Sequence, residues 1–377
     1  FKNYADASIS FSKTVNAFVG NNGAGKTNLL DAIHYLCLCK GYFNPIDSQQ
    51  IKMTEDLFLI QGDFDRKDKN EKITCGVKRN QKKSFKRNKK EYDKLASHIG
   101  LFPLVMISPY DTNIIMEGSE ERRRFMDNVI SQTDAYYLDE LILYNRHLAN
   151  RNALLKQIAV TRSYDPSLME IYSEQLVASG NKIFEKRQQF MVDFIPLFDK
   201  YYDFLTDGTE QVNLHYHSQL TDTAFEHLLM QSIEKDKALE RTTTGIHKDD
   251  LIFAIADMPL KKFGSQGQQK SFLIALKLAQ YAYLQQHKGF KPLLLLDDIL
   301  DTGRTLHAVS KRLEEEGAIA VHTGVLLAKD KERSEEVNAD YVGFQIGDEF
   351  VVGYGLDYKG KYRNLPYVGV LKLSAAT

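Results

Sequence analysis

The chain predicts an α/β fold: a parallel-sheet core, a helical insertion, and a further small α/β unit at the C-terminal end. Three observations predict it. Gly20-Asn21-Asn22-Gly23-Ala24-Gly25-Lys26-Thr27 matches G-x-x-x-x-G-K-[ST] in full, between a strand ending in Phe18-Val19 and a helix opening near Asn28. Residues 117 to 158 and 167 to 198 carry apolar side chains at helical spacing among many Arg, Glu and Gln, with Pro only at 166 and 196. Leu293-Leu294-Leu295-Leu296 is an apolar run opened by Pro292 and closed by Asp297-Asp298, which reads as a buried strand ending on carboxylates.

Taken in order, residues 8 to 20 read as two short strands running into the glycine-rich turn, and Asn28 to Leu38 as an apolar-periodic helix. Leu57 to Val77 alternates like antiparallel strands with a polar interruption at Arg66 to Lys72, as in a hairpin or meander. After the two helical runs come a strand at Val212 to His217, a short helix, a strand at Leu251 to Ala256 and a helix at Gln268 to Gln286. Beyond the leucine run, Thr305 to Glu316 reads as helix, and Ala318 to Leu327, Tyr341 to Ile346 and Phe350 to Tyr354 as strands. There is no internal repeat or low-complexity tract.

Composition bounds the function. With 377 residues, 43% hydrophobic and 26% charged, the chain can bury a sizeable core, and its length allows roughly two to three domains. A net charge of −1 favours neither nucleic acid nor membrane overall, so any basic surface is local. No apolar run approaches the ~20 residues that span a bilayer, so no membrane role is expected. The sequence opens on Phe1 without initiator Met or signal peptide, as a truncated start would. Cys37, Cys39 and Cys75 are too few and wrongly spaced for a zinc ribbon or a disulfide framework, which suits reduced, cytoplasmic surroundings. His215 and His217 alternate on a strand and read as ordinary histidines rather than metal ligands.

The glycine-rich run has a direct chemical reading. Gly20, Gly23 and Gly25 let the backbone turn its N–H groups inward around phosphate oxygens, and the helix beginning at Asn28 adds its positive dipole end. Lys26 reaches the β- and γ-phosphates, and Thr27 offers a hydroxyl to Mg²⁺, which takes few protein ligands. A second signal is Ser265-Gln266-Gly267-Gln268-Gln269-Lys270, preceded by Gly264 and opening a helix.

That second signal resembles the signature motif of ABC-type ATPases. With Phe263 before it and SFLIALKLAQ after it, the chain is similar to the RecF family of recombination mediators, related to SMC and Rad50 heads. Lys2-Asn3-Tyr4, Ser108-Pro109-Tyr110-Asp111, Glu120 to Arg124 with Phe125-Met126-Asp127, Tyr144-Asn145 with Asn150-Arg151-Asn152, and Gly245-Ile246-His247-Lys248-Asp249-Asp250 agree with it. The resemblance covers about residues 1 to 300. It implies an ABC-type ATPase head at 1–110 and 241–300, with a helical insertion at 111–240. It further implies ATP held by Gly20 to Asn28 of one subunit and capped by Ser265, Gly267 and Gln268 of another, so that ATP joins a homodimer. Asp297 holds Mg²⁺ through water in this reading. Asp298 stands where most ABC enzymes have the Glu that orients the attacking water, so weak, slow hydrolysis is expected. Implied partners are DNA, single-stranded or at junctions, and other recombination mediator proteins in SOS-type repair and replication. One departure stands out: no D-loop is recognisable after the leucine strand.

For DNA, Lys78 to Lys90 places eight Lys or Arg in thirteen residues, with Phe85 among them and Asn80 and Asn88 in turn-like positions. Lys82, Lys83, Lys86 and Arg87 are the candidates, and their contacts would be sequence-independent and salt-sensitive. A solvated hairpin is the alternative reading. Arg122, Arg123 and Arg124 form a second basic group, which a plain amphipathic helix end explains as well.

Asp297-Asp298-Ile299-Leu300-Asp301-Thr302-Gly303-Arg304-Thr305-Leu306 also resembles the loop by which type I phosphoribosyltransferases hold 5-phosphoribosyl pyrophosphate. Asp301, Thr302, Gly303, Arg304 and Thr305 present N–H groups and hydroxyls at a helix start, a cage for a 5′-phosphate. The tail, with Val325-Leu326-Leu327-Ala328-Lys329, Asp340 to Phe344, Asp348 to Tyr358 and Tyr362 to Pro366, is similar to the C-terminal half of the hypoxanthine phosphoribosyltransferases. That likeness implies Lys329 on the purine oxygen, Tyr341 stacked on the base, Val342 bonding it by backbone, Asp348 near Mg²⁺ and Arg363 at pyrophosphate. Residues 1 to 292 hold no matching N-terminal half, and a site missing a wall loses its near-attack alignment. Residues 301–377 thus read as a partial phosphoribosyltransferase unit. Three functions stand side by side: a RecF-like ATP-dependent DNA-binding protein, a purine phosphoribosyltransferase, and a chimera of two reading frames with no selected role.

Overall fold

The computed structural model describes residues 1–13, 16, 18 and 23–297 in full and the backbone of strands at 324–329, 341–346, 351–352 and 369–370. Helix α1 (Lys26–Leu38) leaves the glycine turn. The hairpin β1 (Leu57–Arg66) and β2 (Lys69–Lys78) follows, then β3 (Ser84–Arg87) and β4 (Lys90–Glu91) in one four-stranded antiparallel sheet. The polar interruption expected between 66 and 72 is a two-residue turn, with Lys67 and Asp68 at φ 48° and 60°. Both central residues at positive φ is the geometry that matches strand twist in a tight hairpin. Asn88 and Lys89, at φ 50° and 70°, make a similar turn.

Strand β5 (Leu104–Ile107) leads through α2 (Asn113–Met116) into the insertion: α3 (Ser119–Thr133), α4 (Ala135–Thr161) and α5 (Pro166–Thr206). Then come β6 (Val212–His217), α6 (Phe225–Leu239), β7 (Asp250–Ile255), β8 (Met258–Pro259), α7 (Leu260–Phe263), α8 (Gln266–Lys288) and β9 (Leu293–Leu296). In the tail, β10 (Gly324–Lys329) pairs in parallel with β11 (Tyr341–Ile346), and β12 (Val351–Val352) pairs antiparallel with β13 (Gly369–Val370).

Three expectations are corrected. Residues 8 to 13 form no strand, and Ile9 and Phe11 stay 41% and 49% exposed. Alternation over so short a segment does not by itself make a strand. Helix α5 runs straight through Pro196 to residue 206. Proline removes one helical donor there, while Phe190, Phe194 and Phe198, all at or below 1% exposure, hold the helix on the core. The leucine strand is less buried than its composition suggests: Leu295 is covered, yet Leu293 and Leu296 are each 40% exposed. Among the described residues β9 pairs along one edge, with β5. The helix expected at Thr305 to Glu316 lies outside the described residues.

β5 and β9 run parallel, in register from Leu104↔Leu293 to Ile107↔Leu296. Both faces of β5 are buried, and they feed two different cores. Leu104 and Met106 pack with α1 and the antiparallel sheet, whereas Val105 and Ile107 pack with α3, α5 and α8. A polar lock closes the same place. Lys277 of α8 donates to the Met106 carbonyl at 2.9 Å and lies 2.6 Å from Asp111, which also accepts from the Tyr42 hydroxyl at 2.6 Å and the Ser108 amide at 2.7 Å.

The insertion is fixed by buried charge. Arg187, 1% exposed, reaches Asp127 at 2.9 Å, Asp249 at 2.8 Å and the Ile246 carbonyl at 2.8 Å. Arg151, fully buried, holds Asp236 at 2.7 Å and the Thr242 hydroxyl at 2.8 Å. His247 donates from Nε2 to the Thr242 carbonyl at 3.1 Å, so its Nδ1 accepts from the Tyr144 hydroxyl at 2.7 Å. Burial lowers the His247 pKa to about 4 and keeps that neutral form.

Breaking a buried ion network leaves uncompensated charge. Arg187→Met is expected to lower unfolding free energy by about 3–5 kcal/mol, read as a shift of the urea midpoint. Arg124→Ala, removing exposed pairs with Glu120 and Glu121, should cost less than ~1 kcal/mol. A second prediction concerns pH. The Arg87 guanidinium, helped by the Asn88 amide and opposed by burial, holds the Glu71 carboxyl down to about 2 from an ordinary 4.5. Because the unfolded chain takes up the proton first, this contribution is complete above pH 4.5 and is lost as pH falls from about 4.5 towards 2. Stability curves should therefore fall more steeply across that window in the wild type than in Glu71→Gln.

Candidate nucleotide site

The glycine turn, the end of β9 and the start of the chain meet at one place. Gly25 sits at φ 104° and Gly23 at φ 83°, conformations that glycine adopts without penalty. A Cβ on Gly25 would also lie 2.8 Å from the Tyr4 ring, so that position excludes side chains twice over. Asn3 donates to the Gly23 carbonyl at 3.1 Å and accepts from Asn28 at 2.8 Å, while the Tyr4 hydroxyl donates to the Gly25 carbonyl at 3.3 Å. These bonds give Asn3 and Tyr4 a positioning role, clamping the turn against α1, that the sequence did not disclose.

The Thr27 hydroxyl donates to Asp297 Oδ1 at 3.0 Å. The Asp297 amide in turn donates to the Ile107 carbonyl at 2.9 Å, extending the β5–β9 ladder by one bond. The bond from Thr27 brings a hydroxyl and a carboxylate together, a donor set of the hard-oxygen kind that Mg²⁺ takes directly or through its bound waters. Of the predicted phosphate residues, Gly23, Ala24, Gly25, Lys26, Thr27 and Asn28 lie at this turn and helix start, whereas Gly20, Asn21, Asn22 and the neighbouring Asp298 lie outside the described residues.

The second motif caps α8. Ser265 accepts the Gln268 amide at 3.2 Å, and Gln268 Oε1 accepts the Ser265 amide at 2.8 Å, a reciprocal capping box. Ser265 and Gly267 are exposed, and a Cβ on Gly267 would meet nothing closer than the Ser265 hydroxyl at 3.8 Å. The N-terminus of a 23-residue helix thus faces outward with an open backbone. The other Gln268 amide atom was missed in sequence: Nε2 donates to Glu210 Oε1 at 3.0 Å, and Glu210 Oε2 accepts from the Tyr202 hydroxyl at 2.6 Å.

The basic candidates divide. Lys83 lies 3.0 Å from Asp47 and donates to the Cys39 carbonyl at 2.7 Å, and Arg87 donates to Glu71 at 2.9 Å. Both are engaged by carboxylates, Arg87 across the sheet and Lys83 from the segments around α1, so neither presents a free charge. Phe85 is 1% exposed, inside the core, and cannot stack on a base. Lys82 stays exposed and Lys86 half-buried. Arg122 binds Asp250 at 2.6 and 2.9 Å, and Arg123 donates to the Asp249 carbonyl at 2.6 Å, so this group is structural.

In the tail, Asp301, Thr302, Gly303, Arg304, Thr305, Asp348 and Arg363 lie outside the described residues. The strand register bears on the purine residues: Tyr341 pairs with Gly324, and Lys329 with Ile346. At ~3.3 Å per residue, Lys329 and Tyr341 stand about 16 Å apart along the strands.

Comparison with known proteins agrees with both halves. An AAA ATPase domain model matches residues 1–102 and a phosphoribosyl transferase domain model matches 265–359. The DNA replication and repair protein RecF of Flavobacterium johnsoniae is 51% identical over 301 residues, covering 80% of this chain and 84% of that protein. RecF of Parabacteroides distasonis is 50% identical over 301 residues, covering 80% and 81%. A solved structure of the recombination mediator protein RecF with ATP, of the RecFOR pathway, superposes with TM-score 0.78 at 30% identity over 83% of this chain and 87% of that one.

Proposed function

This chain belongs to the RecF family of DNA replication and repair ATPases and carries a phosphoribosyltransferase-like segment, and from that premise we propose that it binds DNA as an ATP-closed dimer. The observation that carries the proposal is the bond between Thr27 and Asp297. It supports a site in which residues 20 to 28 wrap the phosphates, Lys26 compensates their charge, and Thr27 with Asp297 holds Mg²⁺. The bound ion screens the phosphate charge. The open cap at Ser265, Gly267 and Gln268 supports engagement of the nucleotide on a second copy, since outward N–H groups at a helix start suit a γ-phosphate. Asp298, in place of a Glu, is assigned slow hydrolysis. Recombination mediator proteins are the assigned partners, and the closed dimer the form that retains DNA.

The match over 265–359 supports a second reading, phosphoribosyl transfer. It is the weaker, because residues 1 to 292 hold no recognisable N-terminal half of that fold, and a site missing a wall loses its near-attack alignment.

Light scattering should show a dimer with ATP and a monomer without it in the wild type, and monomer under both conditions in Lys26→Ala. DNA retention should follow the dimer and weaken steeply between low and moderate salt. DNA binding that ignores both the Lys26 change and salt would refute the reading. Incubation with hypoxanthine and 5-phosphoribosyl pyrophosphate should yield no nucleotide; turnover that survives in Lys26→Ala would restore the second reading.

A further inference from the structure

A pocket of about 430 Å³ opens beside α4 and the end of α6, lined by Asn152, Lys156, Leu239, Glu240 and Arg241. Its base is built. Arg151 bonds Asp236 and Thr242, and Asn152 accepts both the Thr242 amide at 2.7 Å and its hydroxyl at 2.8 Å. The Arg151 Nη2 atom is buried there without a hydrogen-bond partner. Helix α6 ends with Glu240 at φ 54°, and the Arg241 amide closes back on the Asp236 carbonyl at 3.1 Å, which sets where Arg241 emerges. Lys248 belongs to the next turn, tied to this loop by the bond from His247 to the Thr242 carbonyl.

We propose that Lys156, Lys235, Arg241 and Lys248 form a surface that binds the phosphate backbone of DNA; this rests on the reading that the protein holds DNA and says where. All four are exposed, and among the described residues none makes an ion pair. Burial, then Arg241, Arg123 and Lys235, lower the Lys248 pKa against the pull of Asp236, so these cations crowd one another. Their acidic neighbours are mostly occupied: Asp236 by Arg151 and Glu234 by Lys237 at 2.9 Å, leaving Glu240 on the rim. Like charges held together at a concave surface repel until an anion arrives, and a polyphosphate backbone releases counterions from all of them at once. In the Lys78 to Lys90 run, by contrast, Lys83 and Arg87 have carboxylate partners.

The test compares wild type, the quadruple variant Lys156→Ala/Lys235→Ala/Arg241→Ala/Lys248→Ala, a charge-keeping quadruple variant with Lys→Arg and Arg→Lys, and Lys82→Ala/Lys86→Ala. Each is titrated with a fluorescent DNA duplex in ATP at several salt concentrations. The alanine variant should bind at least tenfold more weakly, with a log affinity against log salt slope shallower by about 3. The charge-keeping variant should restore most of the affinity, and the Lys82/Lys86 variant should change it by less than threefold. Light scattering in ATP shows whether the alanine variant keeps its dimer, which separates loss of DNA contact from loss of fold. Wild-type affinity and slope in the alanine variant overturn the proposal. If the wild type dimerises with ATP yet holds no DNA, the surface falls while the nucleotide reading stands. If no ATP-dependent dimer forms but these four residues still govern DNA binding, the surface stands and the dimer reading falls.

Discussion

The parallel pairing of β5 with β9 is the constraint on which the rest of the head depends. Leu104 to Ile107 and Leu293 to Leu296 lie on either side of the whole insertion in sequence, yet they share one ladder. That ladder separates the two apolar cores, one under the antiparallel sheet and one under the long helices. It also delivers Asp297 to the Ile107 carbonyl and to Thr27. Closing so long a loop costs chain entropy that only the finished core repays, so the nucleotide site cannot form as a local event. Lys277 and Asp111 seal the junction, their charges buried at 6% exposure and satisfied by Met106, Tyr42 and Ser108.

The insertion uses a different device. Its helices carry Arg151 and Arg187 inward, where desolvation opposes charge, and both are retained because carboxylates and carbonyls surround them. Geometry is what these networks supply: Arg187 joins α3, α5 and the turn before β7, while Arg151 joins α4 and α6. Nearer the C-terminal end of α5, about 22 Å along the helix from Arg187, Tyr202 reaches Glu210, which in turn holds Gln268 at the start of α8. The exposed helix cap is therefore not an independent loop. It moves, if at all, with the end of the longest helix in the described head.

Much of this was legible in the sequence, and the limits have physical causes. The helix after the glycine turn, the β1–β2 hairpin and β9 follow from periodicity and turn residues, which are local properties. The failures are non-local. Residues 8 to 13 alternate like a strand but form none, and Pro196 is outvoted by the aromatic face around it. Lys83 and Arg87 read as free cations because Asp47 and Glu71 approach them only in the folded protein. One buried cation did leave a trace: Ile183, Arg187, Phe190 and Phe194 fall on a single helical stripe, so an arginine on an apolar face already called for a buried partner.

The two families meet on a unit that both can use. The phosphoribosyl transferase match begins at Ser265, upstream of the aspartates, and so takes in α8 and β9 as well as the tail. A helix, a short apolar strand and an acidic turn are generic to parallel α/β folds, in which ligands gather beyond the carboxyl ends of strands. The tail continues in kind with the parallel pair β10 and β11. Sequence likeness alone therefore assigns Asp297 to either family. Its bonds do not. Its amide completes the ladder to Ile107, its carboxylate takes the Thr27 hydroxyl, and the turn that presents Thr27 is held by Asn3 and Tyr4 from the start of the chain. Physically, Asp297 is a residue of the ATPase head, and the segment after it is attached to a site that is already assembled.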